Sequence, residues 1–286
     1  MPAIIISLIC FLSAIWICGF NFFKVIELKT IDMRFYLSNY MNKYVPDKRI
    51  VIIAIDDETE KRMSELSVPR IFWIPYIADS VEQILKDDDV IVVFDTLQTF
   101  STDKYFVEFF NNLQKSMVKK NIINKKVSLK EFTPKWDLRL AQAITGKNVV
   151  LSSYIDDVDK KWKKPIGQLS YAVEEDSIGH ANLNSDPDGF IRSISLYLTD
   201  NEGSNHMNID LLSASKYLKK DVNFKHGNYF LGNNIIKTDN DYNYYICYTG
   251  KSPSFTTIPL WMVFDKTQKN VREFFKKNFS NKIVLI

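Results

Sequence analysis

The sequence predicts an α/β protein: a mixed, partly parallel sheet flanked by helices and preceded by one N-terminal transmembrane helix. Three observations carry that prediction. The chain opens on a long uncharged apolar run, several short β-branched runs close on acidic residues, and segments of helical period lie between those runs. The first half therefore reads strand, helix, strand, helix, strand, the order that places parallel strands side by side.

From Ala3 to Phe23 the chain reads AIIISLICFLSAIWICGFNFF without a charge. A run of roughly 20 apolar residues crosses a ~30 Å hydrocarbon core as a helix. It lacks the basic head, short apolar centre and small-x-small site of a cleaved leader, so residues 3–23 are expected to be an uncleaved anchor. Residues 24–49 follow as a membrane-proximal helix and linker, because VIELKTIDMRFYLSNYM keeps apolar residues near helical spacing until Pro46. Lys24, Lys29 and Arg34 follow the anchor, and only the terminal amine precedes it. The positive-inside rule alone would leave the bulk of the chain in the cytoplasm.

Residues 50–286 form the α/β domain. RIVIIAIDDET is a buried strand closing on Asp56 and Asp57, and DVIVVFDT is a second, closing on Asp95. Between them Pro69 to Lys86 fits a crossover helix, with Ile74, Ile77, Ala78, Val81, Ile84 and Leu85 on one side. Asp103 to Lys130 reads as a polar insertion, Trp136 to Ile144 as a short helix, and NVVLSSY as the third strand. Further on, MNIDLLSASKYL is a helix, NYFLGNNIIKT and YNYYICYTG are strand-like, helix-period segments lie near Pro259 and Val271, and KIVLI is a last strand. The sequence stops in mid-strand, so the native protein is expected to continue beyond Ile286.

The stretch NLNSDPDGFIRSISLYL, Asn182 to Leu198, invites two readings. Pro187, Asp188 and Gly189 suit a tight turn joining two strand-like runs as a hairpin. Asn184, Asp186, Asp188 and Gly189 also imitate the start of a calcium loop, but Ser195 stands where the closing glutamate belongs and no helix enters the motif. The hairpin is the expectation.

Composition excludes several classes. With 46% hydrophobic and 25% charged residues the chain is a folded protein, and its net charge of +3 is spread without the clustered basic residues of a nucleic-acid footprint. Cys10 and Cys18 lie in the anchor, which leaves Cys247 alone and expected in the core. His180, His206 and His226 stand apart, and no zinc, nucleophile-elbow or phosphate-loop motif occurs. No cofactor, no metal and no catalytic residue are expected.

The ordered series IELKTIDMRF, IVIIAIDDET, VPR, VIVVFDT with STD, DLRLAQAITGKNVVLSS, IGHANLNSDPDGFIRSISLYL, YTGK with SFTTIPLWMVF, and FSNKIVLI resembles the type-two CHASE domain. The resemblance runs from about Glu27 to Ile286. It implies an extracytoplasmic sensory module of a bacterial membrane receptor, exported behind one span in the inner membrane and followed by a cyclase or kinase output. It outweighs the charge signal on orientation. By resemblance, Asp32 and Arg34 match the acidic and arginine positions after the first span. Asp56 and Asp57 match the strand-ending acids, Arg70 the arginine before the long helix, and Asp95, Asp103, Asp188, Gly189 and Arg192 later positions.

Three functions follow. In the first, a small-molecule or protein stimulus binds at the carboxyl edge of the parallel strands, where Asp56, Asp57, Arg70 and Asp95 would gather. Those acids serve equally well as helix caps. In the second, the domain only dimerises and positions the spans, with the membrane and a second copy as its partners. In the third, the strand-end acids serve a metal-dependent phosphohydrolase, although the D-x-D pattern is missing.

Overall fold

The structure is a computed structural model. It describes residues 21–41, 45–65, 73–87, 89–96, 135–248, 254–264 and 271–286, with scattered positions between 6 and 13 and between 103 and 115. The chain forms two compact units. The smaller is drawn from Met1–Pro46, Leu183–Ile194 and Thr238–Ser254, the larger from Asp47–Asn182, Ser195–Lys237 and Phe255–Ile286.

The strands are β1 (Ile50–Ala54), β2 (Ile91–Phe94), β3 (Val149–Ile155), β4 (Trp162–Lys163), β5 (Ile178–His180), β6 (Ser193–Ser195), β7 (Tyr197–Thr199), β8 (Asn205–Met207), β9 (Val222–Lys225), β10 (Asn228–Leu231), β11 (Asn234–Ile236), β12 (Asn243–Tyr245), β13 (Thr256–Pro259) and β14 (Ile283–Leu285). The helices are α1 (Asn21–Tyr40), α2 (Asp57–Glu65), α3 (Ile74–Ile84), α4 (Trp136–Ile144), α5 (Gly167–Ser170), α6 (Ile209–Leu218), α7 (Leu260–Phe264) and α8 (Val271–Phe279).

The larger unit is built on a seven-stranded sheet in the order β13-β1-β14-β2-β3-β4, with β5 also on β3. Every pairing is parallel except that of β4 with β3. All four residues of β2 are buried, as a strand covered on both faces requires. Val51, Ile53, Val92, Phe94, Val149 and Leu151 face a core shared with α3, α4, α7 and α8, whereas Ile91, Val93 and Val150 face Ile209 and Leu212 of α6. The α/β class with helices on both faces of a mainly parallel sheet is thus the one the sequence predicts.

Each element follows from its residues. Helix α3 buries Ile74, Ile77, Ala78, Val81 and Ile84 at helical spacing, with a proline in its first turn. Each large apolar side chain so buried contributes about 1.5–3 kcal/mol. Helix α6 is capped by Asn208, whose side chain accepts the Asp210 amide at 2.9 Å, and ends on Lys219 in left-handed geometry at φ 52°. The last strand runs between the first two, with Val51 and Val92 both in register with Val284.

In the smaller unit, α1 buries Leu28 and half-buries Ile31, Asp32 and Phe35, while Ile26, Met33, Tyr36, Leu37 and Tyr40 are exposed. Phe35 meets Tyr248 edge-on at 6.2 Å. Among the described residues no helix is long and apolar enough to cross a membrane. Most of the expected anchor, residues 3–23, and most of the Asp103 to Lys130 insertion lie outside those residues.

Two expectations are corrected. The turn at Asp186 to Gly189 is present, with the Gly189 amide on the Asp186 carbonyl at 2.8 Å and Gly189 at φ 81°, but it closes no hairpin. β5 pairs with β3 and β6 with β12, because both runs find longer-range partners. Cys247 is exposed, not a core residue.

Gly179 lies so close to α6 that a Cβ there would sit 2.7 Å from the Ile209 Cα. Backbone atoms cannot swing aside as a side chain does. Gly179→Ala is expected to cost about 1–3 kcal/mol, read as a fall in the urea midpoint of the larger unit.

Candidate functional site

The strand-end acids are placed separately. Asp56 follows β1 and caps α2: one of its oxygens accepts the Thr59 amide at 2.8 Å and the Thr59 hydroxyl at 2.7 Å. Asp57 is the exposed first residue of that helix. Asp95 follows β2, its amide donating to the Ile286 carbonyl at 3.0 Å. Because β14 lies between β1 and β2, the two strand ends stand roughly 10 Å apart, twice the spacing of neighbouring strands. Asp95 instead lies within electrostatic reach of Asp210 of α6. Desolvation raises both carboxyls, and the like charge of Asp95 adds to the effect at Asp210. Arg70 lies outside the described residues.

Asp103 has a structural task. Its carboxylate accepts the Trp136 amide at 2.8 Å at the start of α4, and its own amide donates to the buried Asp137 at 3.3 Å. Burial is the main cause that raises the Asp103 carboxyl. Among the described residues no group of three or more histidine, cysteine, aspartate and glutamate side chains could hold a metal ion.

The densest polar cluster lies in the smaller unit, around Arg192. Its side chain is 2% exposed, yet all five of its N–H groups are used. Nε and Nη2 grip the two oxygens of Asp32 on α1 at 2.7 and 2.8 Å, and Nη1 and Nη2 grip those of Asp188 at 2.8 Å. Nη1 also donates to Asp186 at 2.8 Å. Two such forks on one guanidinium are the strongest arrangement that arginine and carboxylate offer.

Local sequence explains how the loop supplies its half. Pro187 and Gly189 fold the turn so that Asp186 and Asp188 point back at Arg192, four residues on from Asp188. The Arg192 carbonyl accepts the Ile246 amide at 2.9 Å, which ties this run beside β12. Lys29, one turn before Asp32, lies 3.5 Å from Asp32 and 3.3 Å from Asp188, and its ammonium stands 4.7 Å from the centre of the Phe190 ring. The Arg192 guanidinium holds Asp32 and Asp188 below the usual carboxylate range, and they in turn raise its own affinity for its proton.

Three residues matched by resemblance, Asp32, Asp188 and Arg192, thus meet at one point, with Gly189 shaping the turn. Arg34 is exposed on the same helix. Sequence reasoning missed Lys29 and Asp186 as members. The signal was a basic and an acidic residue three apart on an amphipathic helix, and a second acid two residues before Asp188.

The larger unit carries an open cleft of about 1180 Å³, walled by Trp162, Tyr197 and His206 and rimmed by lysines, among them Lys164, Lys216 and Lys220. Lys164 is bonded to Glu175, and Lys216 lies 3.2 Å from Asp176. On one wall Trp162 lies over His206 with centroids 3.8 Å apart, and His206 Nε2 is 2.8 Å from Asp200. The histidine bond holds the Asp200 carboxyl down, assisted by the Glu202 and Ser204 amides. The sequence did not show this site, since its walls come from three elements, β4, β7 and β8.

Arg192→Ala is expected to destabilise the smaller unit, because three gathered carboxylates lose the guanidinium that pairs them and only Lys29 remains beside Asp32 and Asp188. Arg192→Lys keeps the charge, loses the forks and falls between. The pH dependence has a fixed sign. Folded Asp32 and Asp188 hold their protons more weakly than in the unfolded chain, so their contribution is complete above about pH 4 and lost as pH falls below it. Urea unfolding at pH 6 and pH 3 should show a smaller acid loss in Arg192→Ala than in the wild type.

A family model for the CHASE2 domain matches residues 4–286. The chain matches no curated protein and no solved structure. A match over nearly the whole length shows the family: the chain belongs to the CHASE2 domains, extracytoplasmic sensory modules of signal-transduction receptors.

Proposed function

We propose that this chain is the input part of a membrane-bound receptor, held in the inner membrane by Ala3–Phe23 as a single span, exported, and acting on a cyclase or kinase module beyond Ile286. The observation that carries the reading is the double grip of Arg192 on Asp32 and Asp188. Asp32 stands on the helix that follows the apolar run, and Asp188 on a loop whose backbone joins β12 through Arg192. A shift of Leu183–Ile194 is therefore felt at the membrane-proximal helix, the small displacement by which a two-state receptor is biased. The stimulus acts on the larger unit, at Asp57 and Asp95 on the strand ends or in the lysine-rimmed cleft.

Asp32→Asn in the complete receptor tests this. It removes the charge of one fork while leaving the larger unit untouched. The basal output should shift severalfold and the stimulus response should fall, with the urea midpoint of the larger unit unchanged. Normal output and response from a folded variant would overturn the reading.

The receptor acts as a homodimer in this reading. Ile26, Met33 and Tyr40 are exposed and recur every seven residues on α1, with Tyr36 and Leu37 on the same side, a seam that two parallel helices leaving one membrane would share. A Met33→Cys variant in native membranes should form a disulfide-linked dimer on mild oxidation, and Glu27→Cys much less. Equal yields at the two positions would count against the seam.

A further inference from the structure

His180 is fully buried on β5, and among the described residues neither of its ring nitrogens has a hydrogen-bond partner. It sits where several elements of the larger unit join. His180 bridges Asn208, which caps α6 through the Asp210 amide and donates its own amide to the Leu196 carbonyl at 2.9 Å. Beside it, the Ser153 hydroxyl donates to the Gly179 carbonyl at 2.9 Å and accepts the Trp162 indole N–H at 2.8 Å. Trp162 in turn covers His206.

The two histidines are provided for differently. His206 has the Asp200 carboxylate at 2.8 Å, the face of Trp162, and the charge of Glu175 within electrostatic reach. His206 thus has a buried carboxylate and an aromatic face beside it. Among the described residues His180 has neither. The other charged groups around this joint are Asp176 on the turn before β5, Glu202 on the β7–β8 loop, Asp210 at the start of α6, and Lys164, whose ammonium is 4.3 Å from the Trp162 ring centre. None of them bonds the His180 ring.

We propose that acidity is a stimulus this domain reads, and that His180 is the proton-sensing residue, whose protonation opens the joint between β5, Asn208 and the start of α6. This deepens the sensory reading and rests on it. A buried imidazolium without an anion is far costlier than a buried neutral ring. Burial, with the charge of His206 as the second cause, therefore holds His180 down from 6.5 to about 4.

The sign follows from linkage. In the opened joint the ring is hydrated and takes a proton near pH 6.5, whereas in the closed joint it resists until about pH 4. Opening is favoured as pH falls from 6.5 and levels off below 4. Between pH 7.5 and pH 5 the opened fraction rises about thirtyfold from this one residue. The Arg192 cluster responds only below about pH 4, so in the intermediate window the joint opens while that grip is intact.

Hydrogen–deuterium exchange on the full chain in phospholipid nanodiscs, corrected for intrinsic rates, tests the proposal. From pH 7.5 to pH 5, opening at residues 178–180 and 205–212 should rise about thirtyfold, with residues 28–35 unchanged. In His180→Met the rise should collapse to under threefold, and in His226→Gln, an exposed control, it should persist. No rise in the wild type, or an equal rise in His180→Met, overturns the proposal. If His180→Met does not fold, the imidazole titration of wild-type His180 by NMR decides: a midpoint near 4 supports the proposal, and one near 6.5 overturns it. These readouts need no output module. Their failure leaves the receptor assignment standing, whereas a receptor indifferent to Asp32→Asn would remove that assignment and leave the acid-driven opening in place.

Discussion

Arg192 is the constraint around which the smaller unit is organised. A guanidinium cannot lose its proton in a protein, so burying it obliges the chain to supply carboxylates with matching geometry. Asp32, Asp186 and Asp188 do so, and each is committed in consequence. The loop must turn at Pro187 and Gly189 to aim two acids at one cation, and α1 must present Asp32 on its inner side. The same helix must then show Ile26, Met33 and Tyr40 on its outer side, because helical geometry places residues seven apart on one face.

The larger unit is organised by a different necessity, the satisfaction of a parallel sheet. Strands β1 and β2 leave a gap that only a strand of the right length and apolar pattern can fill, and the chain fills it with β14. The insertion buries Val284 fully and pairs the backbone of both neighbours. It also spaces the two acidic strand ends: Asp56 caps α2 locally, and Asp95 acts electrostatically on Asp210. An arrangement that resembles a catalytic acid pair in one dimension is a cap and a separate acid in three.

The two units treat buried cationic groups in opposite ways. Arg192 is charged at every accessible pH and is surrounded by anions. His180 is kept neutral by burial, and among the described residues no anion bonds its ring. The first device is insensitive to pH over most of the range in which proteins work, and the second responds where histidine ordinarily titrates. One domain thus holds α1 through a cation with fixed charge and carries elsewhere a buried ring whose charge depends on its exposure to water.

Local pattern was enough for much of this architecture. Helical period located α3, α4 and α6, β-branched runs located β1, β2 and β3, and DPDG located its turn, since each signal depends on residues within a few positions of one another. The ordered motifs were also enough for the family. Other features needed the folded chain. The turn closes no hairpin because β5 and β6 find partners elsewhere, and Cys247 is exposed in a segment whose strand, β12, pairs with β6 and not with the central sheet. Asp56 and Asp57 could be read as strand-end acids, but their distance from Asp95 depends on a strand more than 180 residues away. Arg192 looked like one residue in an alternating run until Asp32, 160 positions earlier, closed on it. Sequence determined what each segment could become. The tertiary structure decided which segments met, because pairing, burial of charge and the sharing of hydrogen bonds are settled between residues that the chain keeps far apart.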